Sequence, residues 1–550
     1  MIRAAEAGEV LDLSRRGNNV VRAEAIRDLL RSGDADPRGI LVVGARVTGE
    51  LNLDFIRTST ALQLDRCVFE EALSLNDTEL PALSLDGSTF PALYAENLRT
   101  RYLTMEDTRC VGAADLRNAH VDGSLLLSGA TATKLLASGL HVSRSMRAKG
   151  LYARQVVLDG CDIGGEMDLR EAVVISRSGI ALIAYNTKVG ADIDLTGAFV
   201  KSNDMGAVQL FDAKASSLRM NGAVLRGPRG LCLDGAEFSQ DVLLDDGFDA
   251  RSSLDAITMV DTRIGSALVL SGSVRSGHGQ AVVLHRTKVG GSITITAAEI
   301  ETTSRFGALD LTDAAVSGQL VVESTKLVNR GSGYELDLAG TKVSDELHLD
   351  ESELINAEVF TVTLDRLTYP NQPRDTDVWL KMLRDHTREY EAQPYQQLAA
   401  VYRAAGHEHK ARKVLISQQE DLRRHGDPGN RLWHWFLGVT LGYGYRPSRA
   451  VIGLLVTFLL ALCLVWTANA HNGLTPAKDR PADSCSPVNR ISLAADLAIP
   501  LVKLGGTPRC ELANGPAGQW ATGAGWVVQI LGWSFATLSV AGFTGLVRKS

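Results

Sequence analysis

Few side chains in this 550-residue chain have the types and spacing that metal binding needs. His407 and His409 in GHEHKAR are two residues apart, whereas histidines that share one helical face are three or four apart. We therefore interpret them as solvated helix residues. Asp245, Asp246 and Asp249 in LLDDGFDA suit calcium, but the run lacks the spacing and the closing glutamate of an EF-hand. The sequence predicts no metal site.

Motifs for cofactor binding and catalysis are also missing from the sequence. It contains no GxGxxG between a strand and a helix, no CxxC and no CxxCH. Isolated cysteines occur in the repeats, and we interpret them as small buried hydrophobic residues: Cys67, Cys110, Cys161 and Cys232. The sequence therefore predicts no cofactor and no catalytic residue, and it gives no ground for assigning an enzymatic activity.

Two apolar segments near the C terminus, residues 450–470 and 526–547, contain no charged residue. Each is long enough to cross the hydrocarbon core of a bilayer as a helix. Tryptophan and tyrosine residues lie near their ends, as is typical of interfacial anchors. The lipid bilayer is thus the first partner that the sequence predicts.

Basic residues flank both apolar segments: Arg446, Arg449, Arg548 and Lys549. Because positive flanks stay cytoplasmic, we expect a multi-pass protein of the inner, cytoplasmic membrane with both termini in the cytoplasm. Residues 471–519 would then lie outside. Cys485 and Cys510 are the only cysteines of that loop, and on the oxidising side they are predicted to form a disulfide.

A short apolar segment, residues 491–506, lies between the two predicted spans and carries Asp496, Pro500 and Lys503. It is too short to cross a bilayer, which favours a re-entrant or interfacial helix. The order of span, short helix and span is typical of a two-helix cation channel subunit, in which Asp496 would attract cations. The GYG at 442–444 precedes the first span and is therefore not a potassium filter.

One pattern recurs along residues 41–366. Its first buried aliphatic or aromatic residue returns at intervals of about 20 to 27 residues, with one step of 11: Val47, Phe69, Phe90, Cys110, Val121, Val142, Ile163, Val189, Ala215, Phe238, Ile264, Val289, Val316 and Val343. Apolar residues follow at the fourth and sixth positions, as Ile293 and Ile295 follow Val289, which indicates a strand with one buried face. The step of 11 residues from Cys110 to Val121 is about half a coil, which indicates that each coil has four sides.

The predicted fold is mainly β: a β-solenoid of the right-handed quadrilateral type with roughly thirteen stacked coils that share one apolar column. Glycine often precedes the strand, where we expect a sharp corner without a Cβ: Gly164, Gly190, Gly265, Gly290 and Gly318. The later coils contain extra residues at one place, which should stack as a ridge of loops: SRSGI, KSNDMG, RGPRG, RSGHGQ, TTSRFG and NRGSG. The ridge is either a tolerated insertion or the binding face for a protein partner.

The segments ALSLDGSTF and DLRNAHVDGSLLLSGA resemble pentapeptide-repeat proteins, which share the A-x-L-x-x-x-x-[FL] rhythm. Most of the chain is also similar to bacterial membrane-anchored proteins with a degenerate pentapeptide-like region, the helical segment AAVYRAAGHEHKARKVLI and a tail ending GWSFATLSVAGFTGLVRK. Proteins of this kind often carry the label membrane-associated oxidoreductase. The resemblance implies a β-helix attached to a two-span membrane anchor.

The sequence divides into four predicted regions. Residues 1–40 form an N-terminal cap with an amphipathic helix over Asn18–Asp34, and residues 41–366 form the solenoid. Residues 374–430 form a stalk with a helical hairpin, and residues 431–550 form the membrane domain. A solenoid needs such end caps because its terminal coils would otherwise expose the apolar column.

Charge is unevenly distributed along the chain. Residues 41–370 contain 30 basic and 44 acidic residues, whereas residues 371–550 contain 20 and 13. The sequence favours a membrane-anchored scaffold or protein-interaction module. An oligomeric two-span pore, a homo-oligomer through its spans, is the alternative. An acidic mimic of DNA is a further alternative, although an anchored protein does not diffuse to its target. Nucleic acid itself is not an expected partner of an acidic solenoid.

Overall fold

A computed structural model of the protein describes residues 2–15, 17, 19–36, 38–350, 360–425, 448–477, 485–499 and 510–544. The chain divides into two compact units, residues 1–389 and 390–550. The first contains the solenoid and the second contains helices.

The solenoid is a parallel stack of about thirteen turns with four faces. One coil shows all four: Lys188–Val189 lies on face 1, Ile193–Asp194 on face 2, Phe199–Ser202 on face 3 and Gly206–Gln209 on face 4. Each strand pairs with the equivalent strand of the coils before and after it. The four-sided β-solenoid predicted from the sequence is therefore confirmed.

Each face begins and ends with a defined strand. The first and last strands are Glu79–Ser84 and Lys342–Val343 on face 1, Leu11–Asp12 and Leu347–Leu349 on face 2, Val20–Arg22 and Lys326–Asn329 on face 3, and Leu51–Asn52 and Val362–Thr363 on face 4. Some strands bend around a corner without a break, as Leu268–Ser276 and Ile293–Thr302 do between faces 2 and 3.

The core is the column of side chains inside the four faces. On face 2 the inward residues lie directly above one another from coil to coil: Met146, Met167, Ile193, Leu218, Val242, Leu268, Ile293, Leu320 and Leu347. All of them are buried. No coil can bury its own inner side alone, so the stack supplies the stability.

The step of 11 residues from Cys110 to Val121 is a change of face. Phe90 and Cys110 pair on face 3, as Val47 and Phe69 also do. Val121 instead pairs with Val142 on face 1. The recurring residues of the sequence therefore belong to two columns, half a coil apart, as the short step indicated.

Two corners of each coil contain a residue in the left-handed backbone region. In one coil these are Asn186 (φ 53°), where face 4 turns into face 1, and Gly197 (φ 68°), where face 2 turns into face 3. Asparagine, aspartate and glycine adopt this conformation at the lowest cost. The two corners explain why a half-coil period is visible in the sequence.

The glycines at the corner between faces 1 and 2 have another cause. A Cβ on Gly190 would lie 2.2 Å from the carbonyl oxygen of Gly164, and one on Gly290 would lie 2.3 Å from the carbonyl oxygen of Gly265. Their φ angles are not left-handed. Glycine is needed there because consecutive coils approach closely, and not because the turn is sharp.

The amphipathic helix of the N-terminal cap begins later than the sequence predicted. Helix α1 spans Ile2–Ala7, and the cap helix α2 spans Ala23–Ser32. Val20–Arg22 is a strand that pairs with Arg46–Thr48, which removes it from the predicted helix. The apolar side of α2, with Ile26 fully buried, covers the end of the column.

A helix also closes the other end of the first unit. Helix α3, Thr376–Asp385, begins with Asp375, whose carboxylate accepts from two backbone N–H groups. The Trp379 ring lies 5.5 Å from that of Tyr369, and His386 Nδ1 lies 2.8 Å from the carbonyl oxygen of Phe360. Although the sequence grouped this helix with the stalk, it packs on the last coil.

The second unit begins with a helical hairpin. Helices α4 (Ala392–Ala404) and α5 (Glu408–His425) are joined at Gly406, where φ is 78°. Buried Tyr395 donates a hydrogen bond of 3.0 Å to Asp421 Oδ2 across the hairpin. The longer helices α6 (Ser448–Ala470), α7 (Pro487–Ala498) and α8 (Pro516–Thr544) follow.

Candidate functional site

Helices α6 and α8 are both long and apolar enough to cross a membrane, and only 22% of the most apolar window of each is buried. Their large apolar side chains point outward: Val451, Ile452, Leu455, Leu459 and Leu460 on α6, and Val527, Ile530, Trp533 and Val540 on α8. A soluble helical bundle turns such residues inward. The exposed surface of these helices suits hydrocarbon.

Small residues take a large part in the contacts between these helices. The buried cluster of α6, α7 and α8 contains five alanines beside Leu464, Val465 and Val528: Ala461, Ala468, Ala494, Ala498 and Ala521. A Cβ on Gly453 would lie 2.5 Å from the Phe535 ring, and one on Gly532 would lie 2.2 Å from the carbonyl oxygen of Ala498. Close contacts at alanine and glycine are typical of helices packed within a bilayer.

The structure brings Cys485 and Cys510 together as a disulfide, with their Cα atoms 5.4 Å apart. Cys510 lies in a strand, Cys510–Leu512, which pairs with Leu474–Pro476 in a two-stranded antiparallel sheet. Since Leu474–Pro476 follows α6 and Cys510–Leu512 precedes α8, the sheet and the disulfide fasten the connection between the two long helices.

Replacing both Cys485 and Cys510 by serine should loosen this connection. The crosslink closes a loop of 25 residues, and a crosslink of that length contributes about 3 kcal/mol in the chain-entropy account. We expect faster hydrogen exchange in the strands Leu474–Pro476 and Cys510–Leu512, measured in detergent. Cys463→Ser is the matched control, because Cys463 is a free cysteine. Equal exchange in all three proteins would contradict the prediction.

Asp496 lies on α7 and is half-buried. This helix of 12 residues packs against α6 and α8 through buried Ala494, Ala495 and Ala498. Pro500 and Lys503, the other residues predicted to belong to a pore or re-entrant segment, lie outside the described residues. The role of Asp496 in a pore stays a prediction.

Of the residues considered above for metal binding, the two histidines are exposed to solvent and Asp249 is paired with arginines. His407 and His409 are both exposed, at the start of α5. Asp249 binds Arg226 and lies 3.2 Å from Arg251 Nε. Within the described residues, no group of three or more His, Cys, Asp or Glu residues is arranged to hold a metal ion.

A polar cluster around buried Asp310 on face 4 was not found from the sequence. His285 Nε2 lies 2.6 Å from Asp310 Oδ2, which also accepts from Gln280 at 2.7 Å. The hydrogen bond to Asp310 raises the pKa of His285. Burial raises the pKa of Asp337, which lies one coil above Asp310. These side chains lie close together only because of the register between coils. Gln280 and Asp310, for example, are hydrogen-bonded although they are 30 residues apart in sequence.

The extra residues of the later coils stack as a ridge between faces 3 and 4, as predicted. Gly179 N–H donates to Asp204 Oδ1 at 2.7 Å, and His278 N–H donates to the carbonyl oxygen of Ser253 at 2.8 Å. Among the described solenoid residues from 153 onward, the exposed large hydrophobic residues all lie on this ridge: Met205, Leu254 and Phe306. The loops are thus ordered by one another and present apolar tips.

A groove runs along face 1 beside the glycine corner. It encloses about 590 Å³ and is lined by Lys214, Glu237, Arg263 and Lys288 on one side and by small residues, including Ser239, on the other. The charged residues occupy equivalent positions in consecutive coils. The groove thus combines a cavity with aligned charged residues.

Comparison of the chain with protein-family models, with curated proteins and with solved structures found no match. The features that bear on its function are therefore the membrane-type helices, the ridge and the groove.

Proposed function

We propose that the protein is a membrane-anchored scaffold: helices α6 and α8 cross a bilayer, and the solenoid presents a protein-binding surface. The observation that carries this proposal is the exposed apolar surface of the tail. Alanines, together with Leu464, Val465 and Val528, form its interior, while further leucine, isoleucine and valine side chains cover its outside. In water such a surface would favour aggregation, whereas in lipid it costs nothing.

The ridge between faces 3 and 4 is the protein-binding surface of this proposal. Met205, Leu254 and Phe306 follow one another at every second coil, about 10 Å apart for a spacing of ~4.8 Å per coil. Arg226, Arg251 and Arg275 stack beside them on face 3. Apolar tips with adjacent arginines are typical of protein interfaces.

The proposed orientation follows from the basic flanks of the two spans. With both termini on the cytoplasmic side, the solenoid is cytoplasmic and the disulfide-bonded connection faces the oxidising side. We therefore propose the cytoplasmic membrane as its location, with the disulfide Cys485–Cys510, the only one within the described residues, on the side of that membrane where disulfides persist.

Cysteine labelling tests both the anchor and the orientation. Asn514→Cys lies in the connection between the spans, and Thr303→Cys lies on the ridge; both positions are exposed. A maleimide that does not cross membranes should label the first variant in intact cells and the second only after permeabilisation. Cys463→Ser, made in both variants, removes the exposed native thiol.

The opposite labelling pattern would overturn the orientation. Recovery of the protein in the soluble fraction without detergent would overturn the anchor. A ridge variant, Met205→Glu with Phe306→Glu, should keep the labelling pattern and lose co-purifying proteins, whereas unchanged co-purification would remove the ridge from the proposal.

A further inference from the structure

One row of residues on face 1 differs in charge from the rest of the solenoid. Lys188, Lys214, Glu237, Arg263 and Lys288 occupy the outward position of five consecutive coils, in register. Four of the five are basic, although residues 41–370 as a whole contain 30 basic and 44 acidic residues. We call these five residues the basic row.

The charges within the basic row are arranged symmetrically. Glu237 at the centre accepts from Lys214 Nζ at 2.9 Å and from Arg263 Nη1 at 3.1 Å. These hydrogen bonds hold the pKa of Glu237 below its usual range, and the one from Lys214 has the largest effect. Lys188 and Lys288 at the two ends are exposed and form no ion pair within the described residues. Two cations are thus available, one at each end.

The wall opposite the basic row has almost no side chains. Ser239, Gly265, Gly290 and Ser317 line the 590 Å³ groove, and buried Ile264 lies at its floor. The glycines cannot be replaced, since a Cβ on Gly265 would lie 2.1 Å from the carbonyl oxygen of Ser239. The groove therefore offers a narrow track in which the main chain of a ligand can approach the coils.

We propose that the basic row and the groove beside it bind an extended acidic peptide segment of a partner protein. One carboxylate lies on Lys288, which lines the groove, and another lies on Lys188, one coil before the first lining residue, Lys214. These lysines are four coil steps apart, about 19 Å, which corresponds to about six residues of extended chain. The bound peptide carries an acidic residue at each end. Its middle residues are uncharged and lie opposite Glu237, which is already paired with Lys214 and Arg263.

The central glutamate distinguishes a peptide from a nucleic acid. A phosphodiester backbone carries a negative charge at every nucleotide, so one phosphate would face Glu237. A peptide can place an uncharged residue there. The pattern of two free cations around a neutralised centre therefore favours a peptide that is acidic only at its ends.

Fluorescence anisotropy on the full chain in detergent tests the proposal. The probe is a fluorescein-labelled pool of six-residue peptides with glutamate at both ends and mixed uncharged residues between them. A pool with glutamine at both ends and a single-stranded oligonucleotide of thymidines are measured beside it. We expect binding of the glutamate pool only, weakened by added salt.

The double variant Lys188→Glu with Lys288→Glu should weaken binding of the glutamate pool by about tenfold or more, because both end contacts become repulsive. Lys342→Glu is the matched control. Lys342 occupies the same outward position and is exposed, but it lies two coils beyond Lys288, outside the span from Lys188 to Lys288, so its variant should bind as the wild type does.

Three results would overturn the proposal: no binding of the glutamate pool, equal binding of the glutamine pool, or stronger binding of the oligonucleotide. Equal weakening by Lys342→Glu would also overturn it, since the effect would then be a general effect of charge. None of these results bears on the membrane anchor, which cysteine labelling tests separately.

Discussion

Ile293→Asp should unfold the coils around residue 293 at a cost of at least about 4 kcal/mol, because it places an unpaired charge in the apolar column. Ile293 is fully buried and lies between Leu268 of the preceding coil and Leu320 of the next. The column contains no partner for a carboxylate at that position. The carboxyl group must either remain protonated or draw water between the coils, and both outcomes break the stack.

Hydrogen exchange followed by mass spectrometry measures where this damage lies. Since each coil contacts only its neighbours, protection should be lost most strongly around residues 268–320 and should recover with distance. Thr294→Asp is the matched control, because Thr294 is the adjacent outward residue of the same strand and should retain full protection. A uniform loss of protection along the solenoid in the Ile293 variant would contradict a linear array.

Replacing Leu459 and Leu460 together by lysine should prevent the first long helix from entering the bilayer. Both side chains are about half exposed on the outside of α6, near its middle. Lysine at the centre of a membrane helix costs about 3 kcal/mol, so the pair costs about 6 kcal/mol in insertion. We make the change in a chain that ends at residue 515, so that α8 does not hold the variant in the membrane. We expect this variant to be extracted from membranes by alkaline carbonate, whereas the same chain with the native leucines stays in the pellet.

The double replacement Leu459→Phe with Leu460→Phe is the matched control, since phenylalanine keeps the apolar surface, and it should remain in the pellet. Retention of the lysine variant in the membrane would show that α6 is not an inserted helix. The same assay on a chain that ends at residue 425 adds a second control, because that chain lacks both spans.

The fold was predictable because its cause is local and repeated. An inward residue at every second position, as at Ile293 and Ile295, produces a pattern that one coil already shows. The half-coil step between Cys110 and Val121 indicated four sides, and the structure assigns the two residues to different faces. Each of these signals depends on a few consecutive residues, which a single sequence displays directly.

Boundaries at the ends of the solenoid were not predictable in the same way. Val20–Arg22 has the apolar spacing of the following helix, but the unpaired edge of the first coil binds it as a strand. Helix α3 has the amphipathic pattern of a stalk helix, and only its contacts with Tyr369 and Phe360 show that it is a cap. At Val20–Arg22 tertiary contacts outweighed local propensity, whereas at α3 the helix formed as its pattern predicts and only its packing partner was hidden.

The basic row was visible in the sequence in part. Alignment of NTKV, DAKA, DTRI and RTKV on their buried residue places a basic residue just before it in each coil. What the sequence could not show is that Lys214, Arg263 and Lys288 border a cavity and that Glu237 binds the neighbours on both sides. Such contacts depend on the register between coils, which the loops of different length obscure.

The in-register stack also makes the solenoid a molecular ruler. Every face presents one equivalent position per coil, so distances along the surface change only in whole steps of about 4.8 Å. Duplication or loss of one coil of about 25 residues would lengthen or shorten a row such as that from Lys188 to Lys288 by one step. It would leave the chemistry at each end unchanged. Selection can thus change the length of the ligand that fits such a row without changing the side chains that bind the two ends of the ligand.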